Sequence, residues 1–214
     1  MTGNKTDDSA RTLGMTGTKW EIFVSAVNLF SKNGYSNVSI SDITSALNIK
    51  PASMYNYFGS KDELLSEIYS FCQQHFDNIT NNIDNLSALV PTTPPHQIFE
   101  KYLSFFGDEI YGLGLYELMP KILKIILQAS NHDKRARKLI TILYYDYPQI
   151  YLKPIIQQLL DEDRIEPIDI DLFLVLYCSL ELSSSQTHGS QLAPTGEAWK
   201  KSRTLLFSLI QEKY

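Results

Sequence analysis

Apolar residues recur in this chain at three- and four-residue spacing from Trp20 nearly to the C-terminus, and nowhere alternate with polar ones long enough for a strand. That period confines the chain to an all-α fold. Trp20, Phe23, Val27 and Phe30 give one apolar face on a first helix that stops at Asn33-Gly34, where glycine supplies the left-handed residue favoured after a helix. A second helix starts near Ser39 or Ser41, either of which can cap its free amides. Asp42 in its first turn suits the helix dipole, and Ile43, Ala46 and Leu47 form its inner stripe. Asn48-Ile49 makes a tight turn, and Pro51 opens a third, short helix through Phe58. Gly59-Ser60 breaks it. Ser60 with Glu63 has capping-box spacing and opens a fourth helix through Leu64, Leu65, Ile68 and Phe71. Val90 to Pro95 is a break, and further helices are expected over about 96–110, 115–130, 132–145, 148–162, 168–187 and 195–213.

With 214 residues, 43% hydrophobic and 20% charged, the chain can bury one substantial core plus a small accessory module. No apolar run approaches the ~18 residues of a membrane helix, so no membrane partner is expected. Residues 1–15 carry acids and no apolar stretch, and read as a short mobile tail rather than a signal peptide. Cys72 and Cys178 each sit in an apolar helical pattern, as buried thiols of a cytoplasmic protein do. Nothing points to an enzyme, a cofactor or a metal. The histidines His75, His96, His132 and His188 are scattered, and Gly112-Leu-Gly-Leu-Tyr116 lacks the preceding strand and third glycine of a dinucleotide loop. The basic run Lys134–Lys138 reads as a solvated helix face.

Three short helices with a tight turn before the third are the plan of a helix-turn-helix, whose third helix fits the major groove. On it Ala52, Ser53, Asn56 and Tyr57 would face outward while Met54 and Phe58 point back at the first two helices. Asparagine suits a bidentate contact with adenine, the Tyr55 hydroxyl a phosphate, and Lys61 a phosphate through its flexible charged head. Ser39 and Ser41 stand at a helix N-terminus that favours an anion, and Lys50 and Pro51 complete the candidate DNA-contacting set. Taken singly, Tyr55 and Tyr57 serve equally well as packing aromatics, and Lys61 as a solvated helix end.

The stretch Val38–Leu64, with Met54-Tyr-Asn-Tyr-Phe58 and Ser60-Lys-Asp-Glu-Leu64 at fixed spacing, closely resembles the N-terminal domain of the TetR family of transcriptional regulators, as does Leu29-Phe-Ser-Lys-Asn-Gly-Tyr35 upstream. The resemblance covers about a quarter of the chain. It implies a three-helix DNA-binding domain over 16–64 and, over 65–214, a larger helical domain that binds a small effector and dimerises. The family often has Gly where Asn48 stands, and Asn tolerates the same backbone. Many members are also more basic in and before the first helix. Here residues 1–64 hold six basic and six acidic side chains, within a net charge of −5. That balance predicts modest affinity, steep loss in salt, or dependence on Lys5 and Arg11 in the tail.

In the C-terminal two-thirds the resemblance is one of layout. Leu160–Asp169 looks like the turn before the penultimate helix, and Phe173, Leu176 and Leu180 would pair with Trp199, Leu206 and Leu209 of the last one across a two-fold axis. The alternative is that both helices close a monomeric core. Tyr144, Tyr147 and Tyr151, with Asp146 as counter-charge, suit an aromatic, amphipathic or cationic ligand, and Phe99, Tyr102, Phe106 and Tyr116 would line the same cavity. Plain core packing explains the same aromatics. The chain is thus expected to be a dimeric repressor released from a palindromic operator on double-stranded DNA by a small molecule. A TetR-like protein-interaction module with weakened DNA contacts is the alternative; a helical carrier or enzyme lacks any catalytic grouping.

Overall fold

The computed structural model describes residue 15 and residues 17–104, 118–187 and 196–213, without the side chains of 79, 81–85, 104, 184–187 and 196–200. Among these residues the chain is helical throughout, with one isolated antiparallel bridge between Ile165 and Glu212. The helices are α1 (Thr18–Asn33), α2 (Ile40–Ser45), α3 (Pro51–Met54), α4 (Lys61–Leu89), α5 (Pro95–Ser104), α6 (Leu118–Ala129), α7 (Lys134–Thr141), α8 (Lys153–Asp161), α9 (Ile170–Thr187) and α10 (Gly196–Phe207). They pack as two compact units, one holding residues up to 75 together with 110–139, the other holding 76–109 and 140–214. The chain passes from the first to the second within α4, so the compact units do not follow the functional boundary expected at residue 64.

In the first unit α1 supplies the centre. Ile22, Phe23, Ala26, Val27 and Phe30 are all fully buried, and each large apolar side chain so removed from water contributes roughly 1.5–3 kcal/mol. The helix ends as its sequence requires: Gly34 takes φ 80° and its amide donates to the Phe30 carbonyl at 2.9 Å. Phe23 lies 5.0 Å from Phe71 of α4 and is stacked on Trp20. α6 lies along α1, burying Met119, Ile122 and Ile126, and Lys121 Nζ donates to Asn28 Oδ1 at 2.8 Å. Met15, expected in the mobile tail, is buried.

In the second unit Phe207 of α10 is the hub, with Phe99 and Phe173 at 5.1 and 5.4 Å and Tyr102 and Tyr177 within 6.4 Å. Beside this cluster Arg203, only 3% exposed, holds Glu181 at 2.8 Å and donates to the Tyr177 hydroxyl at 3.4 Å. The C-terminal strap is fastened by the Ile165–Glu212 bridge and by the Lys213 amide on the Arg164 carbonyl at 3.0 Å. The Arg164 guanidinium reaches the carbonyls of Val90 and Thr93, closing the turn after α4.

The break expected between 145 and 148 is absent. Residues 134–161 run as one helical stretch that widens into π turns at Ile142–Asp146 and Pro148–Leu152. The Tyr147 amide donates to Ile142, and that of Lys153 to Pro148, each five residues back. Pro148 has no amide hydrogen and would clash with the carbonyl four residues earlier, so the wider turn accommodates it without ending the helix. Pro154 follows directly on the second π turn, at the start of α8. The last helix also stops earlier than expected, at Phe207.

Candidate nucleic-acid interface

The helix-turn-helix is built from its caps. Ser39 opens α2: its hydroxyl accepts from the Asp42 amide at 3.1 Å, while the Asp42 carboxylate accepts from the Ser39 amide at 2.8 Å and hydroxyl at 2.7 Å. The Ser39 hydroxyl accordingly holds the Asp42 carboxyl below the usual range. Ser39, not Ser41, is therefore the cap, and both are exposed. α2 turns Ile43 and Thr44 inward, not Ala46, which is exposed. The Thr44 hydroxyl donates to the Ile40 carbonyl at 2.9 Å, which satisfies it where it is buried. α1 meets α2 where the Ser25 hydroxyl donates to the Ile43 carbonyl at 3.2 Å.

Asn48 takes φ 55°, the left-handed conformation the tight turn needs. Lys50 then precedes α3, whose first residue is Pro51, and both are exposed. α3 is one turn long; Tyr55–Tyr57 continue it as turns, with the amides of Tyr57 and Phe58 both on the Met54 carbonyl. Met54 and Phe58 are buried, whereas Ala52, Tyr55, Asn56 and Tyr57 are exposed and Ser53 is half-buried. This segment thus presents two aromatic rings and an amide outward from a fixed apolar floor.

Lys61 is placed differently from its expectation as a free phosphate contact. Its Nζ donates to the carbonyls of Tyr35 and Val38 at 3.0 and 2.8 Å and lies 4.2 Å from the centre of the Tyr35 ring. The ammonium thereby clamps the connection just before the Ser39 cap. The capping box at the start of α4 is also offset: Ser60 accepts from the Glu63 amide, but the Glu63 carboxylate accepts from the Gly59 amide, at 2.8 Å.

The expected effector residues divide. Tyr144 and Tyr147 are buried; Tyr147 packs against Phe76 and Tyr151, and its hydroxyl donates to Asp77. Phe99 and Tyr102 are buried around Phe207. Asp146 is exposed, away from the face on which Leu143, Tyr144, Tyr147 and Pro148 are buried, so it is no counter-charge inside a pocket. Phe106 and Tyr116 lie outside the described residues, as do Lys5 and Arg11. Of the expected dimer residues, Phe173 is a correction: it is 2% exposed and packs on Phe207 within its own unit. Leu176 and Leu209 are exposed, with Leu172, Val175 and Leu205 beside them, and Leu180 and Leu206 are half-buried. The side chain of Trp199 lies outside the described residues.

Two features escaped the sequence reading. Arg203 stands four residues before Phe207 in the buried register of α10, and a basic residue in an apolar register is a readable signal of an internal ion pair. Arg135 lies on the exposed basic face expected of Lys134–Lys138, but its guanidinium also bonds Asp62, Ser66 and Asp133.

The family model described as bacterial regulatory proteins, tetR family, matches residues 22–68. The chain is 34% identical over 146 residues to the biofilm operon icaADBC HTH-type negative transcriptional regulator IcaR of Staphylococcus epidermidis, covering 63% of this chain and 72% of that protein. Its fold is similar to that of the ketosteroid transcriptional regulator KstR2 of Mycobacterium tuberculosis (TM-score 0.60, 15% identity, 93% of this chain and 97% of that one). It is similar too to that of the TetR family transcriptional regulator PfmR from Thermus thermophilus (TM-score 0.58, 20% identity, 87% and 97%). With a helix-turn-helix assembled as described and a repressor relative matched over most of its length, this chain belongs to the TetR family of transcriptional regulators.

Proposed function

We propose that the protein is a dimeric repressor that occupies a pseudo-palindromic operator and leaves it when a small molecule binds in the second unit. The outward set Ala52, Tyr55, Asn56 and Tyr57 over the buried Met54 and Phe58 carries this reading. A rigid floor beneath exposed polar and aromatic groups is what base-edge and phosphate contacts in a major groove require. The exposed leucines in and just after α9 and α10 support a second copy, and two copies are what an operator with half-sites about one DNA turn apart requires. The 34% identity to a negative regulator supports repression. The tyrosines of the π segment support a ligand with an aromatic or amphipathic body.

The test is the affinity of the purified protein for the DNA upstream of its own coding sequence, against random duplex, at two salt concentrations. Selective, salt-sensitive binding is expected, and Asn56→Ala is expected to weaken it by about 1–3 kcal/mol. Binding no better than to random duplex at either salt would discard the reading. The electroneutral module of residues 1–64 favours one alternative, a protein-interaction module of the same fold, which predicts that second outcome.

A further inference from the structure

Arg135 uses its whole guanidinium. Nη1 and Nη2 donate to the two oxygens of Asp62 at 3.0 and 2.8 Å, and Nη1 also donates to the Ser66 hydroxyl at 2.7 Å. Nε spans both oxygens of Asp133 at 3.2 Å, with Nη2 on one of them at 2.8 Å. The backbone amide of Arg135 adds a further link, to Asp133 at 2.8 Å. The guanidinium carbon lies 5.6 Å from the centre of the Tyr69 ring, whose hydroxyl donates to Asp133 at 3.4 Å. Exposed ion pairs ordinarily contribute little, but a bidentate fork within a network is the exception. Both carboxyls are held below their usual range by their hydrogen bonds to this arginine.

The place of Asp62 gives the network its meaning. Asp62 follows Lys61, whose ammonium clamps the Tyr35–Val38 connection. The first turn of α4 is therefore tied at one residue to the helix-turn-helix and at the next to α7, and it begins shortly after the exposed Tyr57. A binding surface works only when its parts are held to about 0.5 Å. We propose that Arg135 is a positioning residue for DNA binding: through its fork on Asp62 it fixes the first turn of α4, and with it the segment Tyr55–Tyr57, without touching DNA. The proposal rests on the reading that this segment contacts an operator.

Charge and geometry predict opposite results at Asp62, which makes it the test. Removing a carboxylate beside a DNA-binding surface strengthens binding if only charge matters. The positioning role predicts that Asp62→Asn weakens it. Full-length native, Asp62→Asn and Arg135→Gln proteins are titrated with the upstream duplex over a salt series, with thermal melting of each. Both variants are expected to lose about fivefold or more in affinity while remaining fully folded at the temperature of the titration, which the melts check. The slope of log affinity against log salt should stay at its native value, because no phosphate contact is lost. Asp62→Asn binding as tightly as native, or tighter, would overturn the role. So would a salt slope lowered by about one in Arg135→Gln, which marks a direct phosphate contact. Native protein without selective affinity would overturn the operator reading itself and the positioning role with it.

Discussion

At Asn48 and His75 single residues carry constraints of different legibility. Asn48 sits at φ 55° between α2 and α3, and the sequence announces it, because asparagine is among the few residues that enter this conformation at little cost. His75 is silent in the sequence yet buried on α4, where burial lowers its imidazole to about 4 from an ordinary 6.5. Above pH 6.5 the ring is neutral whether folded or not and adds nothing to the pH dependence. Between 6.5 and 4 the unfolded chain takes up a proton that the folded one refuses, so stability falls as pH falls. From pH 7 to 5 this linkage is expected to remove about 2 kcal/mol. Urea unfolding at the two pH values, in native protein and His75→Leu, checks it: the variant should show the smaller loss, and equal losses would show that His75 does not titrate in this window.

Elements are legible where one face differs from the other. α1 has a single apolar stripe, and the inward set Phe23, Val27 and Phe30 follows from its spacing alone. α9 does not, because the unbroken run Leu172, Phe173, Leu174, Val175, Leu176 and Tyr177 makes it apolar nearly all round, and spacing cannot say which side meets its own unit. That is why Phe173, expected outside, lies inside. The π turns leave no comparable signal in the sequence, although the buried Leu143, Tyr144, Tyr147 and Pro148 keep helical spacing and leave Asp146 in solvent. Caps, being local, are readable. Ser39→Ala removes one arm of the α2 capping box and is expected to destabilise the protein by about 1 kcal/mol. Thermal melting measures it, and an unchanged melting temperature would mean that the remaining packing of Ile43 and Thr44 alone sets the stability of α2.

At the scale of the whole molecule, α9 and the C-terminal helix leave large apolar side chains in water. Leu172, Val175 and Leu176 on α9, Leu205 on α10 and Leu209 just past its end are each 45–69% exposed, and the two helices pack side by side. Exposed apolar side chains gathered on two packed helices are what an interaction surface presents. The protein is expected to sediment as a dimer, and Leu176→Asp and Leu205→Asp as monomers that bind the operator weakly. Dimers that persist in both variants would move the interface elsewhere. The partner of Arg135 lies 73 residues away in sequence, and such long-range pairings are what a periodicity reading cannot supply. The buried cysteines have a practical consequence. Cys72 lies in the first unit and Cys178 in the second, both free, almost without exposure and raised above the ordinary thiol range by burial, Cys178 to about 11. Each compact unit thus carries one internal thiol clock: its rate of alkylation, read by mass spectrometry, times the opening of that unit separately from its neighbour.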